Sequence, residues 1–192
     1  PNANSCWNPG GGSGGSVWID SAGTVTGAGT ISVVGGRGCN GGAGGGGGRV
    51  AIYYSGAIPT VTVNTNGGDS NAAHYGGSGT YIRKLHSDPY AEVVVNNAGL
   101  GGSNESTLGK TVITGLSFAT MTFATITVQN SGHLYFSSTT APLASTTALL
   151  LTTNGQFEAA SGALLEVLGT TTWTGGMIVD SGGTSIPISE TT

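Results

Sequence analysis

Glycine sets the tightest limit on what this chain can become. Of 192 residues, 37 are glycine, about 19% where about 7% is usual. Two runs hold much of it. Gly10-Gly11-Gly12-Ser13-Gly14-Gly15 leads into Ser16-Val17-Trp18-Ile19-Asp20. Gly35-Gly36-Arg37-Gly38-Cys39-Asn40-Gly41-Gly42-Ala43 continues through Gly44 to Gly48, between apolar segments at 30–34 and 49–54. A segment without side chains has nothing to bury and much backbone entropy to lose. Order in the second run therefore needs a hold from outside. The first reading is a long ordered loop pinned by a Cys6–Cys39 disulfide. The second is a set of packed polyproline-II-like strands, with glycine required because backbones approach closely. Collagen is excluded, because glycine does not recur at every third residue. Residues 42–48 satisfy G-x-G-x-x-G, but the dinucleotide fingerprint needs a helix next, and Arg49-Val50-Ala51-Ile52-Tyr53-Tyr54 reads as a strand.

The remaining composition points to strands. Only 7% of residues are charged, while Val, Ile and Thr are plentiful. β-Branched side chains suit a pleated surface and lose rotamer freedom in a helix. A hydrophobic share of 37%, in strand-length runs, argues against disorder. One short element recurs: an aliphatic residue, two or three polar residues, then glycine. It occurs at 19–23, 63–67, 95–99, 128–132, 151–155 and 178–182. Each copy reads as a strand end, an Asn/Asp turn, glycine at positive φ, and a new strand. The closest of these glycines lie 23 and 27 residues apart, which suits one coil of a solenoid whose coils stack to bury a shared apolar face.

The expected fold is therefore all-β, a parallel β-helix with a glycine-rich N-terminal region. A β-sandwich of hairpins is the alternative, because irregular spacing and x-N-G-x turns fit it too. The chain reads as a single β domain over 1–192. It divides into a glycine-rich region at 1–54, a loop-rich middle at 55–110, and regular Thr-rich coils at 111–192. In the last region Val128, Leu134, Leu150, Phe157, Leu165, Val167, Trp173 and Ile178 are expected to be buried.

The succession GGSGGSVWI, GTISVVGGRG and GGGGGRVAIYY, within about residues 10–54, resembles a segment of large repetitive extracellular proteins. These are mostly bacterial surface proteins of the β-helix and adhesin-like kind. The resemblance implies surface location and an adhesive or scaffolding role. It carries over no catalytic residue.

Cys6 and Cys39 are the two cysteines, both among glycine and asparagine rather than in an apolar core. A bond between them closes a loop of about 34 residues and contributes roughly 3–4 kcal/mol in the chain-entropy description. It places the chain in an oxidising compartment, extracellular or at the cell surface. Five basic residues form no stripe and the net charge is −4, which argues against nucleic acid. No apolar run approaches the roughly 20 residues of a membrane span.

The densest polar stretch holds Asp69, His74, Tyr75, Tyr81, Arg83, His86, Asp88 and Tyr90, a candidate glycan-contact loop. Acidic and basic residues there supply the ingredients of polysaccharide lyase or hydrolase chemistry. No paired carboxylates reinforce them, so no catalytic residue is assigned and the chain is expected not to be an enzyme. A triad of a serine, His86 and Asp88 has no nucleophile-marking motif behind it. No metal site is assigned. Calcium, the one cofactor considered, would draw on Asp69, Asn71 and a loop carbonyl. Asn104-Glu105-Ser106 is the single N-glycosylation sequon, which makes Asn104 the glycosylation candidate. No helix-forming segment caps either end of the strand array. The expected partners are copies of the chain or neighbouring domains of a longer one, end to end, with glycans second. The expected function is an extracellular structural or adhesive module of a surface fibre, sheath or filament. The alternative is a carbohydrate-binding or polysaccharide-processing β-helix domain.

Overall fold

A computed structural model of the chain describes residues 9–70, 74–100, 109–113, 121–137, 143–160, 163, 165–180 and 188–190. Among the described residues there is no helix. The strands are β1 (Ser16–Asp20), β2 (Thr30–Ser32), β3 (Arg49–Tyr54), β4 (Thr62–Asn64), β5 (Thr80–Leu85), β6 (Glu92–Asn96), β7 (Thr111–Ile113), β8 (Met121–Gln129), β9 (His133–Phe136), β10 (Leu143–Thr152), β11 (Gly155–Ala159), β12 (Leu165–Val167), β13 (Thr170–Trp173), β14 (Gly176–Asp180) and β15 (Ile188–Glu190). One sheet runs β1-β3-β5-β6-β8-β10-β12-β15, with β13 also on β10. A second runs β14-β11-β9-β7, and β2 pairs with β4. Among the described residues every pairing is parallel except β5–β6, which has the hairpin-like geometry of the sandwich alternative.

From β7 onward the chain passes back and forth between the two larger sheets, with β12 and β13 both in the first, and returns to the same register every 21–23 residues. Like residues consequently stack. Val95 lies opposite Val128, and Val128 opposite Leu151; Leu134 lies opposite Phe157, and Phe157 opposite Ile178. The two-residue period of a strand sends Ile126 and Val128, Leu149 and Leu151, Leu134 and Phe136 to one side, where all are fully buried. Each such side chain contributes about 1.5–3 kcal/mol by leaving water. Val128, Leu134, Phe157, Leu165, Val167 and Ile178 are buried as expected, and Leu150 is half-buried. Trp173 departs from expectation. It continues the Val95–Val128–Leu151 ladder on β13, yet it is 54% exposed. Among the described residues β13 pairs with β10 alone.

The recurring turn element uses glycine differently from the sequence reading. Between β8 and β9 the positive φ values belong to Asn130 and Ser131, and between β10 and β11 to Thr153 and Asn154. Gly132 and Gly155, which follow, are not in that region. A Cβ on Gly155 would sit 2.1 Å from the Val128 carbonyl oxygen, and one on Gly132 2.5 Å from that of Val95. Close approach of one rung to the next, rather than a left-handed backbone, demands glycine here. Gly99 alone among those turn glycines that are described has positive φ, beside Ala98.

The long glycine run is not a loop. Residues 10–15, 43–48 and 74–79 lead into β1, β3 and β5 and form one layer. Residues 33–38 and 64–70 leave β2 and β4 and form a second. Within a layer Gly11 and Gly14 donate to the carbonyls of Ala43 and Gly46, Gly44 and Gly47 to those of His74 and Gly77, and Gly35 and Gly38 to those of Asn66 and Asp69. Between layers Gly36 donates to Gly12, Gly45 to Gly36, Gly68 to Gly45 and Gly76 to Gly68, at 2.7–2.9 Å. Donors thus recur every third residue and point in different directions, which is the three-residue turn of a polyproline-II helix. The Cα–H groups of Gly35, Gly44, Gly45, Gly47 and Gly68 aim at carbonyl oxygens 1.9–2.0 Å from where a Cβ would be, so weak Cα–H···O contacts add to the ladder. Only the turn at 39–42 resembles the expected loop. Its Cys39 is disulfide-bonded; Cys6 lies outside the described residues.

The two halves bury opposite faces of their common sheet. In the N-terminal half the inner side carries Val50, Ile52 and Tyr54, with Val33 and the flanking Tyr81 and Leu85. In the C-terminal half it carries Val93, Val95, Ile126 and their successors, with Ile82 packed against them. Tyr81 and Ile82 are adjacent on β5 and point to opposite faces, so β5 is the wall shared by two cores. Asn97, 1% exposed, ties the halves together. Its Oδ1 accepts the Gly67 N–H at 2.8 Å, and its Nδ2 donates to the carbonyls of Gly76 and Leu100.

Candidate functional site

The polar residues singled out from sequence do not gather in one place. Asp69 sits at the rim of the glycine layers, 3.8 Å from Arg37, and accepts the Ser70 N–H. Asn71 lies outside the described residues, as does Asn104. Among the described residues no cluster of three His, Cys, Asp or Glu side chains is placed to hold a metal. His74 and Tyr75 are on the glycine strand before β5. Tyr81 faces the N-terminal core, and burial pushes its hydroxyl above the ordinary pKa of 10.0. Arg83 is held by Glu92 across the antiparallel β5–β6 pair, with Nε and Nη2 both 2.5 Å from Oε2. Asp88 and Tyr90 lie exposed in the turn that joins those strands.

His86 does join a constellation, though not with Asp88. Its Nδ1 is 2.9 Å from Ser55 Oγ and its Nε2 3.0 Å from Asp20 Oδ1. The order Ser–His–Asp is that of a hydrolytic triad. An oxyanion needs free donors beside the nucleophile, but the Ser55 N–H already donates to the Gly23 carbonyl. All three side chains also stand in solvent. The arrangement reads as a polar tie across the ends of β1, β3 and β5.

A second cluster escaped the sequence reading. Glu158 Oε2 is 2.9 Å from His133 Nε2, and the carboxylate also receives Lys110 Nζ at 2.7 Å. Lys110 lies 5.0 Å from the centre of the Tyr135 ring. His133 and Glu158 are almost enclosed, and His133 Nδ1 has no hydrogen-bond partner. Burial lowers the His133 pKa from its ordinary 6.5, against Glu158, which acts to raise it. A neutral imidazole donating from Nε2 to the carboxylate satisfies that balance. Residues 25 apart meet because the register places His133 beside Gln156 and Tyr135 beside Glu158.

A candidate binding surface lies on the sheet face that the N-terminal half leaves open. Trp18, opposite Ala51 on β3, is 71% exposed and stacks on Tyr53 at 5.4 Å between ring centres, with 23° between planes. Ala51 is small and lies opposite Ile82 on its other side. A cavity of about 300 Å³ results, floored by Ala51, walled by Trp18 and Ile82, and closed at one end by Arg49 and Thr80. Arg49 and Thr80 also line a groove of about 460 Å³ that continues past Tyr75 to Lys110. Comparison with protein-family models, with curated proteins and with solved structures gives no match.

Proposed function

We propose that this chain is a structural and adhesive module of an extracellular or cell-surface fibre, sheath or filament. In this reading it is folded as a parallel β-helix and acts as scaffold rather than catalyst. The observation that carries the reading is Trp173. It stands in register with Val95, Val128 and Leu151, but about half of its surface remains in water. A further strand laid on β13 would bury that indole. A second copy of the chain, or a neighbouring domain, supplies such a strand in head-to-tail fashion, and a contact of that kind grows rather than closes. Low charge imposes little repulsion between copies, and the disulfide at Cys39 suits an oxidising compartment.

The test is light scattering and negative-stain microscopy of the full chain over a range of micromolar concentrations. Concentration-dependent growth into filaments, suppressed by Trp173→Asp, is expected. A monodisperse monomer throughout, with native circular dichroism, overturns the reading.

A further inference from the structure

We propose that the open face of β1, β3 and β5 is a binding site for an acidic polysaccharide. A pyranose ring lies on Trp18, and a uronate carboxylate on Arg49. Three observations converge on this face. The first is the exposed Trp18–Tyr53 stack. A broad indole held flat by a neighbouring ring presents an apolar surface at little entropic cost, and the C–H face of a sugar ring is its natural complement. The second is the step over Ala51, which gives the ring a walled seat instead of an open plane. Its volume is at the low end of ligand pockets, which run to about 300–1,000 Å³, as befits one residue of a longer chain.

The third observation is charge. Among the described residues Arg37, Arg83 and Lys110 have acidic partners, while Arg49 and Lys84 form no such ion pair. Arg49 is where the cavity beside Trp18 meets the groove that leads to Lys110. Lys84, opposite Tyr53 in the register, flanks the far side of the aromatic pair. A guanidinium holds a carboxylate with two parallel hydrogen bonds. Arg49 lines both the cavity and the groove, so it is the cation placed to receive a carboxylate there. Single-stranded nucleic acid also stacks on aromatic rings, and an oligothymidylate therefore serves as a comparison ligand.

The experiment is titration of the full chain with a galacturonate oligosaccharide, followed by tryptophan fluorescence and calorimetry. The comparison ligands are the methyl-esterified oligomer, a neutral glucan oligomer and oligothymidylate. Saturable binding of the galacturonate is expected, weakened by added salt. Trp18→Ala should lower affinity about tenfold or more, with Trp18→Tyr retaining most of it. Arg49→Gln should erase the preference for the free acid over its ester. Both positions are exposed, so circular dichroism of the variants should match the parent. Absence of galacturonate binding, equal binding of the neutral glucan, or tighter binding of oligothymidylate would each overturn the proposal. The Trp173→Asp chain, impaired in assembly, should bind the galacturonate unchanged. Loss of filaments and loss of sugar binding are therefore separate failures.

Discussion

Gly45→Ala and Gly12→Ala test the glycine layers from the two sides of one contact. A Cβ on Gly45 would sit 2.0 Å from the Gly12 carbonyl oxygen and 2.7 Å from that of Gly11. The strands must then separate by more than about 1 Å to restore ordinary contact. Separation weakens the bonds Gly36→Gly12, Gly45→Gly36 and Gly68→Gly45, now 2.7, 2.9 and 2.7 Å long. At a net value of about 0.5–1.5 kcal/mol each, with about 1–3 kcal/mol of overpacking strain, the expected loss is about 2.5–7.5 kcal/mol. A Cβ on Gly12 meets nothing within 4 Å, and its φ lies outside the left-handed region. Gly12→Ala should stabilise by about 0.4–1 kcal/mol, through the entropy of the unfolded chain. For a chain of this size, Gly45→Ala should lower the thermal midpoint by roughly 10 °C or more and Gly12→Ala should raise it slightly. Melts followed by circular dichroism, with amide exchange over residues 43–48, provide the measurement. Equal effects at the two positions would return the segment to a pinned loop and refute the packing argument.

Other outcomes follow from the same geometry. His133 has a folded pKa below its unfolded value of 6.5, so the unfolded state takes up the proton first and stability falls as pH drops below about 6.5. Thermal midpoints from about pH 7 down to pH 5 should decline less steeply for His133→Gln than for the parent, and parallel curves would contradict this. Phe157→Ala, in the middle of the Leu134–Phe157–Ile178 ladder, should cost about 3–5 kcal/mol in denaturant unfolding. Trp173→Ala, half in water, should cost much less. Peptide mapping without reductant should recover Cys6 and Cys39 in one cross-linked peptide. Two alkylatable thiols in the native protein would disprove that pairing.

Strand positions were legible because alternation in segments such as 49–54, 133–136 and 156–158 is a local signal. The recurrence of register in the C-terminal half was legible as a repeat of about the right length, although paired strands in the N-terminal half are farther apart in sequence, 31–33 residues, owing to the glycine strands. The glycine layers were read chiefly as a loop because a run without side chains offers no hydrophobic period. A period is nonetheless present. Val34, Arg37, Asn40, Ala43 and Arg49 are the exposed positions of residues 34–49 that carry side chains, and they are separated by multiples of three. Trp173 was misplaced because alternation tells which way a side chain points, not whether a further rung covers it. Tyr81 and Arg83 look like surface chemistry in a polar stretch, but the reversal of the buried face at β5 turns both toward packed neighbours. Trp18, flanked by apolar Val17 and Ile19, looks like core and is in fact outermost.

That three-residue spacing has a consequence for what may be mounted on the molecule. A polyproline-II strand advances about 3.1 Å per residue, so the outward positions of the glycine layers form a grid with points about 9 Å apart along each strand. Gly12, Gly15 and Gly46 are such points without side chains, with nothing closer than 4.0 Å to the place a Cβ would take. Gly11, Gly14, Gly35, Gly44, Gly45, Gly47 and Gly48 admit no side chain, each having a backbone oxygen within 2.0 Å of the place a Cβ would take, and these open points do. The layers therefore behave as a pegboard. The backbone alone fixes the spacing, so the chemistry carried on its surface can be rewritten one peg at a time without disturbing the board.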